Sequence, residues 1–299
     1  MFDSIELLDT ELLNSKNEFK YIYNWIKLFG SEIGWHYSLD LIWQLKKIEE
    51  LKLPKGSTIL DAGAGYGMMQ FILASRGYNI ISVDFSQRSN KLPFSLLFKI
   101  TINNTGTFNN EYIKLINKSR SYHQQFLRII NKIRKIQKFK LLFKSLQKND
   151  FGRIDFYRAN FSDLSFLMDN QIDAIVSTSA IEHNEDLTML KGCIREFERI
   201  LKEKSYLFIT TSATNGESWF HEPSKGWCFN ESTIKGIFNL KNDCLSNFDT
   251  YETIFNNIRN NEFLKNNMPG YYYKNENCGM PLGIWDPKYI PVGIIKQKG

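Results

Sequence analysis

The sequence predicts an α/β protein: a Rossmann-like, doubly wound, mostly parallel sheet with a basic helical insertion between the second and third strands. Three observations carry this. Thr58-Ile59-Leu60-Asp61-Ala62-Gly63-Ala64-Gly65-Tyr66-Gly67 runs from a β-branched strand through a carboxylate into three alternate glycines, with an amphipathic helix behind them. Asp84 closes the next apolar run, 21 residues after Gly63. Beyond residue 150 strand-like and helix-like runs keep alternating, the pattern of a parallel sheet covered on both faces.

The elements follow in order. Residues 17–29 and 36–52 have helical spacing, and Trp35, Leu39, Ile42, Leu45 and Ile48 share one face. Pro54-Lys55-Gly56 stops the second helix, so residues 1–55 read as an N-terminal helical cap. Strands are expected at 57–60, 79–83, 153–157, 172–177, 206–211 and 289–295. Helices are expected at 68–76, with Gly77 as its terminator, and at 187–201, 231–238 and 250–263. The sheet core is thus 56–87 and 151–299, interrupted by an insertion at 88–150. Within the insertion, 92–100 reads as a short helix, 103–110 as a polar loop and 121–148 as a long helical pattern.

Charge sets the insertion apart. Residues 88–150 hold fourteen Lys/Arg and two acids, a net +12 in a chain of net +6, so the rest carries −6. The insertion reads as a solvated helical pair, packed on its own domain or on a second copy. It also reads as a docking surface for an acidic partner. That partner would be a membrane surface, an anionic glycan or nucleic acid, and Ile and Phe interleaved with Lys and Arg suit an amphipathic helix on a membrane surface. No run of about 18 uncharged apolar residues suggests a spanning helix. Met1 to Glu11 is acidic and does not fit a signal peptide. Cys193, Cys228, Cys244 and Cys278 are scattered, with no C-x-x-C pair. The expected setting is the reducing cytoplasm, with peripheral membrane contact through the insertion and no metal site.

The glycines let the backbone approach a ligand closely. Their G-x-G-x-G spacing departs from the dinucleotide pattern, and Asp61 would repel a pyrophosphate while suiting a cationic ligand end. Asp84 stands where a carboxylate accepts both hydroxyls of a ribose. Asp61 to Gly67, Asp84, Asn160 and Ser177 all fall at strand carboxyl ends, where such sheets bind ligands. Local readings stand beside these: Asp61 as a cap of its own turn, Asp84 as a turn residue, Ser177 and Thr178 as internally bonded strand residues.

On these residues the chain resembles the class I S-adenosylmethionine-dependent methyltransferases, in particular the small-molecule type, over 56–87 and 151–212. The resemblance implies S-adenosyl-L-methionine as cofactor. It implies that Asp61 supports the methionine end and that Gly63, Gly65 and Gly67 pack on ribose and methionine. Asp84 would hold the ribose, and Phe85 would lie against adenine. Asn160-Phe161 would read the adenine edge, with Asn in place of the commoner Asp. Ser177 joins that wall within Ile175 to His183, which looks like the fourth-strand segment ending in a Glu-His pair. Arg195 to Leu201 looks like the helix that follows.

The implied acceptor is a small molecule or a surface glycan. A base is needed only where the acceptor loses a proton, and His183 and His221 are the candidate catalytic residues, with Glu182 beside them. Each has a structural alternative: His183 as a cap or packing residue, His221 as a loop histidine. Trp35-His36-Tyr37 is core or a lid over the cofactor. The fourth-strand segment lacks the Asp/Asn-Pro-Pro-Tyr/Phe signature of exocyclic-amine methylation. Two other classes stay in play. One is a non-catalytic methyltransferase-like module that docks to a membrane surface or anionic glycan. The other is a nicotinamide-dependent oxidoreductase, which the glycine spacing and Asp61 oppose.

Overall fold

The computed structural model describes residues 2–29, 34–65, 67–86, 94, 97–104, 151–184, 186–266 and 284–299. In chain order its elements are β1 (Ser4–Leu7), α1 (Lys16–Phe29), α2 (Tyr37–Glu50), β2 (Thr58–Ala62), α3 (Met69–Ser75) and β3 (Asn79–Asp84). Next come β4 (Ile100–Asn104), β5 (Ile154–Arg158), β6 (Ile172–Thr178), α4 (Leu187–Ile200), β7 (Leu201–Ala213), β8 (Trp219–His221) and β9 (Gly226–Phe229). The last are α5 (Glu231–Phe238), β10 (Leu245–Ser246), α6 (Tyr251–Arg259), α7 (Glu262–Asn266) and β11 (Ile290–Gln297).

Among the described residues eleven strands form one sheet, whose main path is β4-β5-β3-β2-β6-β7-β11-β1-β10. Pairing is parallel from β4 through to β7. β11 runs antiparallel to both β7 and β1. The β8–β9 hairpin hangs on the last two residues of β7. From β2 the chain builds outward through β3 and β5, then returns to add β6 and β7 on β2's other side. That reversal opens a crevice at the carboxyl ends of β2 and β6.

The central strands are buried on both faces, as parallel strands under helices must be. Ile59, Leu60, Ile80, Val83, Ala174, Ile175 and Val176 are all fully enclosed. α2 packs on β6, β7 and β11 and is buried around most of its circumference. Trp43 of α2 lies flat over Gly293 of β11, and its Nε1–H donates to Glu6 Oε2 at 2.8 Å. α4 begins at Asp186, whose side chain accepts the Thr188 N–H at 2.7 Å. α5 begins at Asn230, which accepts the Thr233 N–H at 2.9 Å, and ends at Asn239 in the left-handed conformation.

The α/β class and the mostly parallel sheet are as the sequence predicts. Several details differ. The N-terminal segment expected to be helical opens with β1, which is paired on both sides. Ile100–Asn104, expected to be helix end and loop, is an edge strand parallel to β5. The run expected to be one helix over 250–263 is broken at Asn260 and Asn261 into α6 and α7. Residues 105–150, with most of the insertion's charge, lie outside the described residues, as does Cys278. No described helix is long and apolar enough to cross a membrane.

Candidate active site

β2 ends at Ala62, and the chain reaches α3 through the glycine turn. Gly63 sits at φ +70°, and a Cβ there would stand 2.4 Å from the Ala180 Cβ and 3.2 Å from the Phe161 ring. Gly65 sits at φ +45°. Both conformations favour glycine, and at Gly63 there is no room for anything else. Asp84, at the end of β3, locks the turn in place. Its Oδ2 accepts the Gly65 N–H at 2.7 Å and its Oδ1 accepts the Ser86 N–H at 2.8 Å. A carboxylate has about four lone-pair sites, so each oxygen keeps one for a ligand hydroxyl.

Asp61, Gly63, Gly65, Gly67, Asp84, Phe85 and Phe161 line one cleft of about 640 Å³. Asp61 is buried at its floor, whereas the Phe85 ring is 70 % exposed at its rim. Asn160 and Ser177 are not on its wall. Asn160 is exposed and turns its Oδ1 onto the Ser162 N–H at 3.0 Å, a local Asx turn. Ser177 is fully buried and donates to the Ala62 carbonyl at 2.9 Å. Its successors Thr178 and Ser179 face the cleft instead.

The histidines divide. His183 lines the cleft with an exposed ring, and its Nδ1 donates to the Lys225 carbonyl at 2.8 Å. That bond ties the 3-10 turn Ile181–His183 to the loop of the β8–β9 hairpin. His221 stands behind the wall. Its Nδ1 is 2.6 Å from Ser224 Oγ, and its ring meets Trp219 and Tyr289. Burial lowers its pKa below the ordinary imidazole value. Glu182 lines the cleft at 4 % exposure, and burial raises its pKa. Its Oε2 has no hydrogen-bond partner among the described residues. Cys228 shares this end, and burial, followed by the nearby Glu182 charge, keeps it a thiol.

Sequence reasoning missed what α2 brings. His36 Nδ1 lies 2.7 Å from Asp40 Oδ2, and Ser179 Oγ–H donates to that same oxygen at 3.2 Å. One turn further, Gln44 Nε2 donates to the carbonyls of Ser177 at 2.8 Å and Phe208 at 3.2 Å. Thr178 Oγ1 donates to Gln44 Oε1 at 2.7 Å. His36 and Tyr37 line the cleft, while Asp40 and Gln44 are fully buried behind it. The signal was available: His36, Asp40 and Gln44 recur every four residues, a polar stripe through the stretch that otherwise supplies Leu39, Leu41, Ile42, Trp43 and Leu45 to the core.

A family model described as a methyltransferase domain matches residues 38–241. A search of curated proteins returned no match. Among solved structures, a SAM-dependent methyltransferase from Methanosarcina mazei is 16 % identical with a TM-score of 0.43, over 84 % of this chain and 96 % of that one. A putative sarcosine dimethylglycine methyltransferase from Galdieria sulphuraria is 14 % identical with a TM-score of 0.47, over 93 % and 98 %. The cyclase SpnF is 13 % identical with a TM-score of 0.48, over 99 % and 98 %.

Proposed function

We propose, because the chain belongs to the methyltransferase-domain family, that it binds S-adenosyl-L-methionine in this cleft and methylates a small-molecule or surface-glycan acceptor. The observation that carries the cofactor reading is the Asp84 carboxylate, fixed by the Gly65 and Ser86 N–H groups and still able to accept ribose hydroxyls. The other residues fit the same ligand. Gly63 lets the turn pack directly against Ala180 and Phe161, Asp61 suits an ammonium end, and the exposed Phe85 ring suits a purine face. Phe161 takes the place beside adenine, and Asn160, turned onto Ser162, takes none.

When bound, the cofactor supplies a methyl group already activated by its sulfonium. The chain's own residues are then left with positioning and water exclusion. His36, Tyr37, Ser224, Cys228 and Tyr289 wall the acceptor end, where aromatic rings and a few polar groups favour a small acceptor. The unpaired cysteines Cys193, Cys228 and Cys244 support a reducing, cytoplasmic setting. The +12 of residues 88–150 supports contact with an anionic surface or with a second copy, rather than a part in the chemistry.

Calorimetric titration with S-adenosylhomocysteine, with NAD as control, tests the reading. Micromolar binding of the former, about −8 kcal/mol, is expected, with none of the latter. Asp84→Ala should weaken binding by roughly 1.5–3 kcal/mol, the worth of hydrogen bonds to a charged group. Binding of NAD instead, or an unchanged affinity in Asp84→Ala, overturns the assignment.

A further inference from the structure

We propose that His36, oriented by Asp40, is the general base that takes the proton of the methyl-accepting group. The proposal rests on the methyl-transfer reading and narrows it, because it commits the acceptor to an O–H or N–H group.

The tautomer follows from the contacts. A carboxylate accepts hydrogen bonds, so the 2.7 Å contact to Asp40 Oδ2 places a hydrogen on His36 Nδ1. In the neutral ring the lone pair is then on Nε2. Among the described residues Nε2 has no hydrogen-bond partner. His36 lines the cleft and Asp40 is fully buried behind it, so the ring edge opposite Nδ1 is the one left for a ligand. The ring is also held in its plane. Centroids of Trp35, Tyr37 and Tyr289 lie 5.1, 5.2 and 5.7 Å away. Ser179 Oγ–H steadies Asp40 from β6's side.

The other candidates are less suited. His183 has its Nδ1 tied to a main-chain carbonyl, and the carboxyl near it, Glu182, is pushed toward its neutral form by burial. His221 stands off the wall, and burial disfavours its charged form. Glu182 lines the same cleft, but its Oε2 is buried without a hydrogen-bond partner among the described residues, and burial favours its neutral form, which is a poor base. The titratable groups around His36 are thus Asp40, Tyr37, Tyr289 and Glu182. His36 precedes residue 38, the first that the family model matches, so this assignment does not come with the family.

In the step, the acceptor's bond to hydrogen breaks and the proton passes to His36 Nε2. The acceptor's electron pair forms the new bond to the methyl carbon. The sulfur–methyl bond breaks with its pair to sulfur, and the Asp40 carboxylate balances the imidazolium. Acceptors without a transferable proton, such as tertiary amines and thioethers, need no such base.

The test uses the full chain labelled with 15N-histidine and saturated with S-adenosylhomocysteine. Long-range proton–nitrogen spectra are recorded at about pH 8.5, above the usual imidazole range. His36, assigned by its loss in His36→Asn, should be protonated on Nδ1. Asp40→Asn, whose amide can donate, should move that hydrogen to Nε2. With labelled S-adenosylmethionine and a panel of phenols, alcohols, primary amines and tertiary amines, product should form from the proton-bearing classes. Asp40→Asn and His36→Asn should lower that rate by roughly 10²- to 10⁴-fold while leaving S-adenosylhomocysteine affinity unchanged. An Nε2-protonated His36 in the wild type, or an undiminished rate in His36→Asn, overturns the proposal. If the panel yields no product, the tautomer decides alone. Absence of S-adenosylhomocysteine binding overturns the cofactor reading itself, which calorimetry on the same samples separates from failure of the base.

Discussion

Glu182 is a cleft residue whose chemistry is altered by its surroundings. It is enclosed in the cleft wall, and desolvation is the leading cause of its raised pKa, with His183 opposing it. Its folded pKa stands above the unfolded value of 4.5, so folding takes up a proton between the two. The favourable contribution is complete below 4.5 and is lost as pH rises through the folded value. Glu182→Gln carries no charge at any pH. Its melting midpoint should therefore gain on the wild type as pH climbs above 4.5, then level off, in paired melts across the acid range. A constant offset at all pH values would mean that Glu182 is not desolvated. The sequence marked Glu182 and His183 as a pair but could not separate them. In the structure Glu182 is enclosed and His183 exposed, although Gly226 of the hairpin lies against both side chains.

Elements were legible where period and composition agreed. β2, β3 and β6 are mostly apolar, β-branched runs that lead into a carboxylate or a serine-rich turn, and α5 begins and ends where its cap residues say. β1, β4 and β10 were not legible. Each is short, and each owes its existence to a partner distant in sequence, which local pattern cannot reveal. Strand alternation explains the near miss at Ser177: the strand was right, but the side chain facing the ligand belongs to the next residues. α2 was read correctly as a helix with a core face. Its second, polar stripe was hidden because the helix is buried almost all round, so no exposed face offset it.

The contact of α2 with β11 makes a prediction at this scale. A Cβ at Gly293 would lie 2.4 Å from Trp43 Cε2 and Cζ2. Gly293→Ala must displace the indole and its bond to Glu6, at a cost of about 1–3 kcal/mol. Gly192, inside α4, has nothing within 4 Å of its virtual Cβ. Gly192→Ala should instead stabilise by about 0.5–1 kcal/mol. Urea unfolding of both variants checks the pair, and opposite shifts of the midpoint are expected.

At the scale of the whole molecule, one sheet runs beneath both ends of the cleft, so ligand binding and global unfolding are linked. S-adenosylhomocysteine at about 100 times its Kd should add about 2.7 kcal/mol and raise the midpoint by roughly 5–10 °C. At the same ligand concentration the rise should fall to less than about half in Asp84→Ala. Scanning fluorimetry with and without ligand reads this directly.

The stripe on α2 has a consequence for how such a protein diversifies. The wall assigned to the cofactor is built by β2, its glycine turn and the end of β3, whereas the opposite end is built by α2, the β8–β9 hairpin and the approach to β11. The two therefore sit on separate stretches of polypeptide and meet at the crevice. Gln44 anchors α2 through main-chain carbonyls of Ser177 and Phe208, which any residue at those positions would provide. The socket is generic and the tool it holds is interchangeable. Exchange of residues 34–40 and 219–229 between relatives would retool the chemistry of the acceptor while the methyl donor stayed the same.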